Sequence, residues 1–211
     1  MSSAGDILFS KINALPAFDK KAAAEEILSV DTKLTFVDPY RNIRMVPLMT
    51  KDARVGNVSN STTGDFKWVD FAPKIIVDWF EDHVFPWTGT RARVMALVTN
   101  PGVANYEHID CNKAELNTRQ HKFRVVLQGR TDTLYWLTNK GRVYAPDINE
   151  AFIMDGGWPH GMTNTDDVPK VTLALGAPWA GKDDYGSDLT LLQNRNDYSM
   201  PNDMEHLWNK K

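Results

Sequence analysis

The 211 residues carry a formal charge of −3, with 42% hydrophobic and 24% charged residues, which suits one globular domain with a buried core. No long run of Lys or Arg builds the basic stripe that non-specific nucleic-acid binding needs, so a nucleic-acid partner is not expected. One cysteine, Cys111, excludes an internal disulfide; together with the lack of a secretory leader and of any apolar run near the roughly 20 residues of a bilayer span, this predicts a cytoplasmic protein without a membrane partner.

Residues 1–90 mix helices and short strands. Asp19 is placed to cap a helix from Lys20 to about Leu28, through the helix formers Ala22, Ala23, Ala24, Glu25 and Glu26. A second helix follows Asp70, where Phe71, Ile75 and Trp79, flanked by Ile76 and Phe80, form one apolar stripe. Pro73 is tolerated in its first turn, and the helix is expected to end before Phe85-Pro86-Trp87. Between the two, Val55 to Gly64 has the Ser, Asn, Thr and Gly content of a loop.

From Arg91 the pattern changes to strands. The runs are Arg93–Thr99, Asn105–Asp110, Arg119–Gln128, Thr133–Leu137, Arg142–Tyr144, Ala151–Met154 and Lys170–Ala177. Turn residues separate them, as in Asn100-Pro101-Gly102 and Asn139-Lys140-Gly141. Seven strands so spaced predict a mainly β, antiparallel sandwich or barrel over residues 91–180, with the N-terminal helices covering one sheet. Residues 181–211 form a polar extension with Leu207 and Trp208 as anchors, which either folds over the barrel or mediates contacts in a homodimer.

The chemistry is carried by His108-Ile109-Asp110. Residues two apart on a strand share a face, so an imidazole and a carboxylate converge there. His160, in Gly157-Trp158-Pro159-His160-Gly161, supplies a second imidazole. Two histidines and one carboxylate cover one face of an octahedral metal and leave three positions open, the arrangement of non-haem iron oxygenases; a structural zinc site is normally closed by four ligands. His-x-Asp alone occurs by chance in many chains, and the pattern gains weight from Lys170, ten residues after His160. In Lys170-Val171-Thr172-Leu173-Ala174-Leu175, alternation turns Val and Leu outward under the helices and Lys170 and Thr172 inward, where ammonium and hydroxyl suit a carboxylate. On Arg119–Gln128, the face with Arg119, His121, Phe123, Val125 and Leu127 is expected to point inward, making Arg119 and His121 site candidates. Lys122 and Arg124, on the opposite face, rank lower; His83 and His206 have the setting of surface residues.

The series His108-x-Asp110…His160…Lys170 resembles the Fe(II)- and 2-oxoglutarate-dependent dioxygenases. From about Ala92 to Trp179 the chain resembles the aspartyl/asparaginyl β-hydroxylase family more closely, through Asn117-Thr118-Arg119-Gln120-His121, Phe152-Ile153-Met154-Asp155…His160…Asn164 and Lys170…Pro178-Trp179. The resemblance implies a double-stranded β-helix of the jelly-roll or cupin type. It also implies Fe(II) held by His108, Asp110 and His160, with 2-oxoglutarate held by Lys170 and Thr172 and flanked by Arg119 and His121. The implied reaction consumes O2, hydroxylates a C–H bond, for instance of an amino-acid side chain, and releases succinate and CO2. Two departures stand out. Well-known β-hydroxylases lack the carboxylate ligand that Asp110 provides here, and Lys170 replaces the usual arginine, keeping charge but losing bidentate geometry. A cupin-type metalloenzyme that uses no keto acid and a non-catalytic metal- or ligand-binding barrel stand as alternatives, with the substrate open between a small molecule (a free amino acid, another metabolite or a nucleobase) and a peptide or protein.

Overall fold

A computed structural model describes residues 4–38, 41–51, 64–116, 118–176, 179 and 181–208. Most of the predicted 55–64 loop lies outside them. Among the described residues the strands build a nine-stranded and a four-stranded sheet, with antiparallel pairing throughout.

Eight strands form the barrel: β5 (Val94–Thr99), β6 (Ala104–His108), β7 (His121–Gln128), β8 (Leu134–Thr138), β9 (Gly141–Tyr144), β10 (Phe152–Asp155), β11 (His160–Thr163) and β12 (Lys170–Leu175). They divide between the sheets in the orders β10-β7-β12-β5 and β6-β11-β8-β9, so that the chain crosses repeatedly from one sheet to the other. This winding is the double-stranded β-helix. The sequence reading found seven of the eight strands and missed β11, because Pro159 and Gly161 mask a four-residue strand that only its partners β6 and β8 define.

Residues 1–90 do more than cover the barrel. Here β1 (Ile7–Ile12) pairs with β10, and β3 (Ile43–Lys51) pairs with β5 and carries β2 (Phe36–Asp38) and β4 (Phe66–Trp68). Pro47 sits inside β3 beside an irregular step in the β3–β5 register, as expected of a residue that cannot donate to a ladder. The C-terminal strand β13 (Leu189–Asn194) pairs with β1, which gives the polar extension a place in the large sheet.

Helix α1 (Lys20–Ser29) forms where the sequence places it, and Asp19 accepts the Ala22 amide at 3.0 Å. The second helix runs further than predicted. After α2 (Lys74–Trp79), a π-helical stretch Phe80–Val84 leads into α3 (Phe85–Thr88), which ends at Gly89 in the left-handed conformation (φ 64°). Pro86 does not stop the chain. Its missing N–H falls within the first turn after the π segment, whose widened register lets Phe85 donate to Phe80 five residues back.

These helices pack on the outer face of the large sheet. Val171, Leu173 and Leu175 of β12, Phe123, Val125 and Leu127 of β7, and Val94, Ala96 and Val98 of β5 join Ile27, Ile76, Trp79 and Phe80 in one buried cluster. Burying each large apolar side chain contributes about 1.5–3 kcal/mol, so this layer holds the sheet in place. Between the sheets, Phe9, Trp136, Phe152 and Trp158 fill one part of the barrel. What remains open inside carries the polar groups.

Candidate metal centre and its two cavities

His108 ends β6 and His160 begins β11, and the two stand directly opposite each other in the ladder. Asp110 is not on the strand as predicted. β6 stops at His108, and Asp110 lies in a bend fixed by its amide, which donates to the Gly156 carbonyl at 2.9 Å. The carboxylate therefore reaches the imidazoles through this tie rather than through strand alternation. His108 Nε2 lies 3.5 Å from Asp110 Oδ1, and His160 Nε2 lies 3.8 Å from Asp110 Oδ2. One ligand atom from each of the three residues falls within 4.8 Å of the other two. Ligands about 2.1 Å from one ion at right angles stand about 3 Å apart, so a small contraction of this group closes it around a metal.

The tautomers are set by the backbone. His108 Nδ1 donates to the Tyr106 carbonyl and His160 Nδ1 to the Trp158 carbonyl, each at 2.8 Å. A carbonyl can only accept, so Nδ1 carries the proton and Nε2 of each ring is the atom turned toward Asp110 and left to ligate a metal. Burial, followed by the proximity of His108, pushes the His160 pKa down to about 3, which keeps it neutral and able to ligate. Burial would raise the Asp110 carboxyl; the hydrogen bond with His108 and the field of Lys122 outweigh it and hold Asp110 well below the ordinary range. The donor set of two imidazoles and one carboxylate fits a divalent first-row metal such as Fe(II). Gly156 is required by close approach: a Cβ there would lie 2.7 Å from Lys122 Cγ and 3.1 Å from Asp110 Oδ2.

Two cavities meet at the triad. The narrower, about 80 Å3, runs between the sheets and is lined by His108, Asp110, His160, Arg124, Lys170 and Thr172, among others. Lys170 and Thr172 thus point inward as predicted. The Lys170 ammonium donates to Thr133 Oγ1 at 2.5 Å and to the Arg130 carbonyl, and burial lowers its pKa to about 8. The larger cavity, about 590 Å3, shares Arg41, Leu97, Asp110 and Arg124 with the first. Arg41 and Arg124 stand 3.7 and 3.9 Å from the Asp110 carboxylate.

Arg119 and His121 are not brought to the site, and the predicted facing of β7 is reversed. Arg119 bonds the Lys182 carbonyl at 2.6 Å and Asp183 at 2.7 Å. His121 is buried between the Tyr185 hydroxyl (3.0 Å) and the Ala4 carbonyl (3.1 Å). The physical reason is that Phe123, Val125 and Leu127 are the apolar face that the helices cover, so Lys122 and Arg124 turn inward. The rule that oriented β12 would have found them: the pair Leu173↔Val125 shares the helix side, which places Arg124 beside Ala174 on the inner side.

The C-terminal residues, whose role the sequence left open, brace both ligand segments. Arg195 forms an ion pair with buried Asp155 at 2.9 Å and stacks 5.4 Å over Trp158, whose carbonyl orients His160. Leu207 packs with Ile109 and Cys111 on either side of Asp110; the Trp208 side chain lies outside the described residues. Burial raises the Asp155 pKa, and Arg195 opposes this. Arg195→Met is therefore expected to cost about 2 kcal/mol by leaving a buried carboxylate without its cation, read as a lower urea midpoint at pH 7. A shift below a quarter of that would show that the pair does not brace this segment.

No protein-family model matches the chain, and no curated protein matches it. Among solved structures, the chain is similar to a Pseudomonas putida prolyl-4-hydroxylase at 12% identity, covering 82% of this chain and 94% of that one with a TM-score of 0.46. It is similar to an oxidoreductase of the 2OG-Fe(II) oxygenase family from Burkholderia pseudomallei at 13% identity, covering 76% and 78% with a TM-score of 0.48. A third likeness is to a Trichoplax adhaerens prolyl hydroxylase in complex with a hypoxia inducible factor peptide fragment, at 13% identity over 80% and 83% of the two chains, TM-score 0.49.

Proposed function

We propose that the protein is an Fe(II)- and 2-oxoglutarate-dependent dioxygenase that hydroxylates a C–H bond and releases succinate and CO2. The supporting observation is that one slot joins the His108–Asp110–His160 triad to a buried ammonium at Lys170. In this reading His108, Asp110 and His160 hold Fe(II), and Lys170 with Thr172 receives the far carboxylate of 2-oxoglutarate. The iron, when bound, supplies the oxidising power; the protein supplies position and dryness. Leu97, Val126, Leu134, Phe152 and Met154 line the slot with hydrocarbon, which excludes water and strengthens the Lys170–carboxylate attraction. Thr133 and the Arg130 carbonyl hold the ammonium, while two other backbone carbonyls orient the imidazoles. An amino-acid side chain is the substrate class that the resemblance to aspartyl/asparaginyl β-hydroxylases favours.

The test is anaerobic titration of the Fe(II) protein with 2-oxoglutarate, followed by a succinate assay in air. A keto-acid chelate gives a weak visible charge-transfer band, and turnover gives succinate. Absence of both would overturn the reading. Lys170→Met is expected to weaken 2-oxoglutarate binding by about 10- to 100-fold, the value of a charged hydrogen bond of about 1.5–3 kcal/mol. Because the Lys170 pKa is about 8 before the anion arrives, wild-type affinity should also fall as pH rises past that point. An unchanged band titration in Lys170→Met would remove Lys170 from the cosubstrate site.

A further inference from the structure

The larger cavity concentrates positive charge in a chain whose formal charge is −3. Four cations, Arg41, Arg93, Lys122 and Arg124, share its wall with three carboxylates, Asp38, Asp110 and Glu115. Two of the carboxylates have partners beside them in sequence. Asp38 accepts the Arg41 amide at 3.2 Å and lies 3.7 Å from Arg41 Nε, while Glu115 accepts the Asn112 amide at 3.0 Å. The third, Asp110, is the candidate metal ligand.

Arg93, Lys122 and Arg124 all lie in largely desolvated surroundings, and burial lowers the pKa of each. For all three, the field of Asp110 is the largest opposing influence. Asp110 is thus the anion common to all three cations, and a divalent metal would take up its charge. Buried cations are costly without an anion nearby, so the metal-loaded chamber favours a negative guest. Arg124 borders both cavities and is available to the cosubstrate; Arg93 and Lys122 line the larger one only. Phe36, Met45, Met95 and Leu97 supply apolar wall for a hydrocarbon body. Guanidinium and ammonium groups in such a setting are the usual receptors of carboxylate and phosphate oxygens.

We propose that the 590 Å3 chamber is the substrate site and that it selects a small organic acid, whose carboxylate or phosphate group sits against Arg93 and Lys122 while its hydrocarbon part lies toward the triad. This inference rests on the oxygenase reading and narrows its substrate class.

The experiment is calorimetric titration of the full chain, loaded anaerobically with Fe(II) and saturated with 2-oxoglutarate so that the Lys170 slot is filled. The probes are N-acetyl-aspartate against N-acetyl-asparaginamide, and O-phosphoserine against serine. At least one acid should bind at least tenfold more tightly than its uncharged or less charged counterpart, and which pair shows it separates carboxylate from phosphate. Arg93→Met and Lys122→Met should each weaken that acid at least tenfold, and Arg93→Lys should recover most of the loss. The 2-oxoglutarate titration in the same variants should move less than threefold, which also reports that they are folded. Equal binding of acid and counterpart, no binding of either acid, or acid affinity indifferent to both Met variants would overturn the proposal. If wild type gives neither the keto-acid band nor succinate, the oxygenase reading fails separately, and the Fe(II) protein alone is titrated: acid selectivity lost in the Met variants upholds an acid-binding chamber, and its lack overturns it.

Discussion

Asp110→Ala is expected to abolish succinate release and to weaken Fe(II) binding by at least about 100-fold. Loss of a partner that merely orients a metal ligand costs 10- to 100-fold, and Asp110 is the only carboxylate in the triad, so its loss should reach or exceed the upper end. The same substitution should destabilise the metal-free protein by about 3–5 kcal/mol, since it strips the shared anion from Arg93, Lys122 and Arg124. Equilibrium dialysis of Fe(II) and urea unfolding of the metal-free form read the two effects separately. Metal affinity within threefold of wild type would mean that Asp110 is held by its cations and does not ligate.

The second large effect is a loss of stability in acid centred on His121. The Ala4 carbonyl can only accept, so His121 Nε2 carries the proton and Nδ1 accepts from the Tyr185 hydroxyl, which itself accepts the Lys182 amide at 2.9 Å. Both ring nitrogens are thereby committed in the neutral form. Burial, aided by the charge of Arg119, lowers the pKa to about 4 from the model-compound 6.5. The unfolded chain therefore binds the proton first as pH falls, and folding stability declines between about pH 6.5 and 4. At about 1.4 kcal/mol per unit of pKa difference, His121 alone accounts for a loss of about 3.4 kcal/mol across that window, and stability is fully present above it. Urea midpoints measured from pH 4 to 7 on wild type and His121→Gln test this. The variant should show a slope shallower by about 1.4 kcal/mol per pH unit. An identical slope would place the acid sensitivity elsewhere. Tying Ala4, His121 and Tyr185 together links the N-terminus, β7 and the C-terminal segment, a structural role in place of the cosubstrate contact that the sequence suggested.

Local pattern was sufficient wherever a residue's fate depends on its neighbours in sequence. Asp19 as a cap and the alternation of Lys170, Thr172 and Ala174 against Val171, Leu173 and Leu175 were legible in the sequence, because capping and pleat are short-range properties; the grouping of His108, Asp110 and His160 rested on ligand chemistry and not on local periodicity. The mainly β winding followed from the spacing of strands and turns. Tertiary structure alone decided the roles of Arg119 and His121, which are tied to Lys182, Asp183, Tyr185 and Ala4 instead of the site. It also decided that Asp110 arrives on a bend tied to Gly156, that β11 is a strand at all, and that residues near the C-terminus brace the ligands through Arg195 and Leu207. Each of these depends on a partner dozens of residues away, whose position no local periodicity encodes.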